Sequence, residues 1–146
     1  MIWITILYVA FIFGNSATPG VVSAAESNWV TELINRWMQD WGLAFIRFSE
    51  GFIRKAAHFT EYSILGVMLT LSLVRYPFFQ GKRRWLLVPL GLCIAIVDEG
   101  IQLFTPGRDG NPMDVLLDTM GVIFGVAFCA LVAWLRGKWQ QRKSHR

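Results

Sequence analysis

The sequence predicts an all-α integral membrane protein with four transmembrane helices and an amphipathic interfacial helix between the first and second. Three observations predict it. The 146 residues are 54% hydrophobic and only 16% charged, with a mean hydropathy of +0.43, too apolar for an ordinary soluble domain. Apolar runs of roughly the length that crosses a bilayer, about 20 residues, recur along the chain. Charge is segregated: the segment 75–84 and the tail 136–146 hold most of the basic residues and no acid. A net charge of +4 does not point to nucleic acid, because the basic residues cluster at the ends of apolar runs, as topology signals do.

The first span is expected over 1–17, ending at Pro19-Gly20. A cleaved signal peptide is the rival reading, since Val22-Ser23-Ala24 resembles a cleavage site. No Lys or Arg precedes Arg36, however, so the positive n-region of such a peptide is missing. Ser23 and Glu26 have capping-box spacing and are expected to start the surface helix, about 24–48. Within it Val30, Leu33, Ile34, Trp37, Trp41, Phe45 and Phe48 recur at helical spacing, with Glu32, Arg36, Asp40 and Arg47 between them and a break allowed at Gly42. Trp29, Trp37 and Trp41 suit the headgroup layer, which places the helix along the membrane surface; a lid packed over the bundle is the alternative.

The second span is expected over 56–74, the third over 85–104 and the fourth over 113–135, with Asn111 as N-cap and Pro112 at the first helical position. The whole chain, 1–146, reads as one membrane domain. The positive-inside rule puts the 75–84 loop, the basic tail 136–146 and both termini in the cytoplasm, so 17–54 and 105–112 face outward. Cys93 and Cys129 fall mid-span and fit no metal motif.

This topology brings every polar feature to one depth. Ser16 ends the first span, His58 and Glu61 open the second, Asp98, Glu99 and Gln102 close the third, and Asp114 and Asp118 open the fourth, with Arg108 in the outer loop. Ionisable groups in a span cost roughly 3 kcal/mol each on insertion scales, so their retention points to use. Lys55, His58 and Tyr62 share a helix face, as do Asp98 and Gln102. Asp114, Asp118, Gly121 and Gly125 share another, and the Gly121-xxx-Gly125 pair lets a neighbouring helix approach closely. A purely structural set of ion pairs, Lys55 and Arg108 with Asp98, Asp114 and Asp118, is one reading. The acids outnumber the bases there, and such a crowd suits proton transfer, metal binding or a cationic or hydroxyl-rich headgroup.

Several chemistries stay open at this point. His58 can act as a general acid or base oriented by a carboxylate. His58 and Glu61 with Asp98 and Glu99 can ligate a divalent metal, though the spacing is not diagnostic of one. Arg54, Lys55 and Arg108 can grip a lipid phosphate. Ser16 is a weak candidate nucleophile. No G-x-S-x-G, Walker or H-E-x-x-H pattern occurs.

Three motifs in order resemble the VanZ-like family of small bacterial membrane proteins. They are Lys55-x-x-His58-x-x-x-Tyr62-x-x-x-Gly66, then Asp98-Glu99-x-x-Gln102-x-Phe104-x-Pro106-Gly107-Arg108, then Asp114-x-x-x-Asp118-x-x-Gly121-x-x-x-Gly125. Ser16 fits the polar patch that follows the family's first span. One departure is Asp118, where the family often has Asn.

The family is named for a member linked to resistance to teicoplanin, a glycopeptide antibiotic with a fatty acyl tail. The resemblance implies a bacterial inner-membrane protein that binds or modifies a lipid-linked or cell-envelope molecule at the outer leaflet, with a resistance-type phenotype. In that picture Lys55 and Arg108 hold an anionic group, His58 and Glu99 do proton chemistry or bind metal, and Asp98, Gln102, Asp114 and Asp118 orient them, with Glu61, Tyr62 and Ser16 lining the site. Two alternatives stand beside it. One is a non-enzymatic assembly module that docks through its Trp-rich helix; the other is a small transporter that oligomerises to form a pathway.

Overall fold

The computed structural model describes residues 1–43 and 45–144. Among these residues the chain is helical, with no strand. Five α-helices follow in order: α1 (Ile2–Ser16), α2 (Gly20–Asp40), α3 (Glu50–Leu73), α4 (Leu87–Leu103) and α5 (Pro112–Ser144). Two 3-10 turns, Pro77–Phe79 and Gly81–Leu86, lie between α3 and α4.

Two of these helices are long and apolar enough to cross a membrane: Gly81–Leu103, which is α4 with its 3-10 lead-in, and Pro112–Gln141 within α5. A third joins them if α1 and α2, bent by 103° at their break, count as one broken span. Helix α1 alone, at 15 residues, is short of the roughly 20 that a crossing needs. Helix α3 is long enough, but Arg54, Lys55, His58 and Glu61 in its first half lower its hydropathy.

Helix boundaries depart from the sequence expectation in four places. Helix α2 begins at Gly20, with Pro19 as N-cap and no side-chain cap, so Ser23 and Glu26 do not form the expected capping box. It ends at Asp40, because Gly42 turns the chain at φ +74°, and the expected surface helix does not continue to 48. Asn35 holds the link that follows: its amide donates to the Phe48 carbonyl at 3.0 Å, and its carbonyl oxygen accepts from the Phe48 N–H at 2.9 Å. Helix α3 then starts at Glu50, capped by Ser49, six residues before the expected start of the second span. Helix α5 runs on to Ser144, through most of the expected tail, where Lys138 and Lys143 stack on Trp134 and Trp139. The tail's last residues, 145 and 146, and Ala44 of the expected surface helix lie outside the described residues. Asn111 does cap α5: its side-chain oxygen accepts from the Met113 N–H at 3.0 Å, with Pro112 at the first position.

The seam between α3 and α5 is the most extensive in the fold. Its closeness comes from glycine on both sides. A Cβ at Gly121 would sit 2.7 Å from the Phe59 carbonyl oxygen, and one at Gly66 would sit 3.2 Å from the Gly125 Cα. A Cβ at Gly125 would overlap the Ser63 carbonyl. Tyr62, Leu65, Leu69, Val122 and Val126 fill the rest of the seam, with Leu87 and Ala95 of α4 and Ile12 of α1 completing the core. The 104–111 loop docks on the α1–α2 elbow, where the Gly20 N–H donates to the Pro106 carbonyl at 3.0 Å and Gly107 abuts Gly20.

Candidate functional site

The α3–α5 seam delivers Asp118, one turn before Gly121, directly against α3. There His58 Nδ1 stands 3.8 Å from Asp118 Oδ1. Asp98 arrives from α4, and one ligand-type atom from each of His58, Asp98 and Asp118 lies within 4.8 Å of the other two. Both aspartates are fully buried, and the His58 side chain is 17% exposed.

Around this centre the hydrogen bonding is partial. Gln102 Nε2 donates to Asp98 Oδ2 at 3.3 Å, as the i, i+4 spacing predicts, and also reaches Ser16 Oγ at 3.3 Å. Ser16 is fixed in turn by its own carbonyl, which accepts from Thr105 Oγ1 at 3.1 Å. Glu99 Oε2 accepts the Asn111 N–H at 2.9 Å, and Glu61 Oε1 accepts from Asn15 Nδ2 at 3.3 Å. Both oxygens of Asp118, Asp98 Oδ1, His58 Nδ1 and the Tyr62 hydroxyl are buried with no hydrogen-bond partner, as are Glu99 Oε1 and Asp114 Oδ1. Buried polar atoms are nearly always bonded, so this concentration of orphans demands a cause. Among the described residues no Lys or Arg lies within ion-pair distance of these carboxylates. The alternative reading from the sequence, ion pairs of Lys55 and Arg108 with Asp98, Asp114 and Asp118, is therefore not met among the described residues.

Arg108 is occupied elsewhere. Its Nε donates to the Thr18 carbonyl at 3.0 Å and an Nη to the Asn15 carbonyl at 2.9 Å, which satisfies carbonyls at the C-terminal end of α1. Its remaining donors face a cleft of about 370 Å³ between α1, α2 and α3, lined also by Arg54, Asn15, Ser23 and Glu26. Burial, with Arg54 beside it, holds the Arg108 guanidinium below its ordinary value, and it stays charged. Two cations share this cleft with one acid.

Of the residues singled out from the sequence, Ser16, His58, Tyr62, Asp98, Gln102 and Asp118 come together in the bundle interior. Glu99 and Asp114 border them, and Glu61 sits at the α1 contact. Lys55 is exposed on α3 and lines neither the cluster nor the cleft, whereas its neighbour Arg54 does line the cleft. Sequence reasoning missed Tyr8, whose hydroxyl donates to the Glu61 carbonyl at 3.1 Å, and Thr105. Tyr8 had a signal: Thr5, Tyr8, Ile12 and Ser16 recur at helical spacing along one face of α1.

A family model described as VanZ/LLP1 matches residues 1–133, so the chain belongs to the VanZ-like family. Comparisons with curated proteins and with solved structures give no match. Family membership and the apolar helices together mark a membrane protein.

Proposed function

Starting from that membership, we propose that the protein binds or modifies an anionic, lipid-linked cell-envelope molecule at the outer leaflet of the bacterial inner membrane, with glycopeptide resistance of the teicoplanin type as its phenotype. In this reading the chain is one four-span domain: α1, α3, α4 and α5 cross, and both termini are cytoplasmic. Helix α2 lies along the outer surface with Trp29 and Trp37 in the headgroups and Trp41 just past its end. What supports the arrangement is that α1, α3, α4 and α5 bring Asn15 and Ser16, His58 and Glu61, Asp98 and Gln102, and Asp118 together at the same end of the bundle. The exposure of those three tryptophans supports the surface placement.

One observation carries the functional reading: a cleft with two arginines is lined by Asn15 and Ala57, chain neighbours of Ser16 and His58 in a buried imidazole–carboxylate cluster whose polar atoms lack partners. The cleft suits an anionic headgroup, with Arg54 and the free donors of Arg108 as the cationic grip. Asn15 lines the cleft and bonds Glu61, and Ala57 lines it beside His58, so a molecule held there lies next to the cluster. His58 and Glu99 then hold or move a proton, while Asp98, Gln102, Asp114 and Asp118 orient them. Lys55, exposed on α3 next to Arg54, adds long-range attraction for an anion.

The test is teicoplanin susceptibility in cells, alongside mass spectrometry of lipids that copurify with the protein. His58→Ala or Glu99→Gln is expected to abolish the phenotype while the protein stays folded and inserted. Arg54→Ala is expected to reduce lipid capture with little change in stability. Full phenotype in both of the first two variants sinks the reading. The exposed tryptophans favour a second reading, in which α2 docks a partner protein and the cluster only packs helices. That reading requires substitutions at Trp29, Trp37 and Trp41 to destroy function while His58→Ala spares it.

A further inference from the structure

We propose that His58, Asp98 and Asp118 bind a divalent transition-metal ion of the zinc or manganese class. The inference deepens the proposed outer-leaflet site and rests on it.

The donor set is the first argument. One imidazole and two carboxylates suit zinc, manganese or ferrous iron, whereas magnesium and calcium favour sites built from oxygen alone. The second is charge. Two fully buried aspartates with no Lys or Arg in ion-pair distance have no fixed counter-charge in the fold, and a divalent ion bound by neutral imidazole would supply one as it displaces their protons. The third is orientation. Asp118 is wholly buried, and neither of its oxygens has a partner, although Oδ1 points at His58. Asp98 Oδ2 is held by Gln102, an outer-shell bond of the kind that metal-bound carboxylates commonly have, while Oδ1 makes no hydrogen bond although the Ser16 and Tyr62 hydroxyls stand close to the carboxylate.

Rigidity is the fourth. Each ligand comes from a different helix, and the glycine seam fixes α5 against α3 at the level of the cluster. Metal–ligand bonds of about 2.1 Å place ligand atoms about 3.4 Å apart in a tetrahedron. The cluster, spread to 4.8 Å, would close on an ion by side-chain rotation of the two aspartates. Glu61 is held by Asn15, and Glu99, although its Oε1 also lacks a partner, is bound through Oε2 to the Asn111 N–H and stands outside the group whose ligand-type atoms converge. Asp118 therefore takes the ligand position that spacing alone assigned to those glutamates.

The experiment uses tag-free, full-length protein in detergent, stripped with chelator, incubated with Zn²⁺ or Mn²⁺ alone and desalted. Metal content is read by elemental mass spectrometry and lipid content from the same samples. Wild type is expected to retain close to one ion per chain and to unfold at a higher temperature when loaded. Asp118→Asn, nearly the same shape, and His58→Ala are expected to bind about tenfold or more weakly and to lose the thermal shift. Glu61→Gln, beside the cluster and outside the ligand set, is expected to bind as wild type does. Wild type that retains no ion and shows no shift overturns the inference, as does equal loss in Glu61→Gln. If wild type holds copurified lipid but no metal, the metal inference fails and the outer-leaflet reading stands.

Discussion

At one end of the bundle, Thr5 Oγ1 and Ser72 Oγ share a 2.7 Å hydrogen bond between α1 and α3, both buried, and Thr70 Oγ1 donates to the Gly66 carbonyl at 2.8 Å. At the other end, Asp98 and Asp118 are just as buried, yet three of their four oxygens have no partner. The hydroxyls cost little to bury because each finds a mate within the fold. The carboxylates are left unmatched in a place where the same fold supplies mates to Ser16, Gln102 and Thr105. A polar group that is fully satisfied is explained by the fold. One that is not points to something the fold receives, here an ion, a proton or a ligand.

Substitutions can break or sharpen this contrast. The largest effect belongs to the seam on which both ends depend. Gly125→Val puts a branched side chain against the backbone of Ser63, Gly66 and Val67, which cannot rotate away. A loss of about 3 kcal/mol or more, or failure to accumulate in the membrane, is expected from thermal unfolding in detergent and from expression level.

The satisfied end comes next. Thr5→Val removes one partner of the buried hydroxyl pair and is expected to cost about 1–2 kcal/mol. Adding Ser72→Ala should recover part of that, because no orphan remains. Neither change should alter the phenotype.

The smallest stability effect is expected where the sequence looks most charged. Asp118→Asn replaces a buried carboxyl group that has no hydrogen bond and no Lys or Arg partner with an amide of nearly the same shape, so stability should shift by less than about 1 kcal/mol, or rise, while metal binding falls. A large loss of stability in metal-free Asp118→Asn would erase the contrast and make the cluster a packing device.

Much of the candidate site was legible along the chain. The i, i+4 spacing of Asp98 and Gln102 foretold their bond. The placement of Asp118 above Gly121 and Gly125 foretold that this face would be packed against another helix. Ser16 was placed at the right level by the length of the first apolar run. The misreadings share one cause: spacing gives a helix face but not the neighbour it meets. Lys55 shares a face with His58 and Tyr62 by spacing, yet in the first turns of α3, which begins at Glu50, Lys55 is exposed while Arg54 lines the cleft. Arg108 reads as a counter-ion for acids, but the 104–111 loop folds back on the α1–α2 elbow and gives it backbone carbonyls instead.

Composition and periodicity by themselves determined a helical membrane protein, because apolar content and helix period are properties of short stretches of chain. They also determined that its polar residues sit at the ends of apolar runs, since that is a matter of order. Only the tertiary structure decided which carboxylates stand together and which are answered. That depends on how closely α3 and α5 approach, and the approach is set by glycines on both helices meeting at one level, a coincidence between segments distant in sequence.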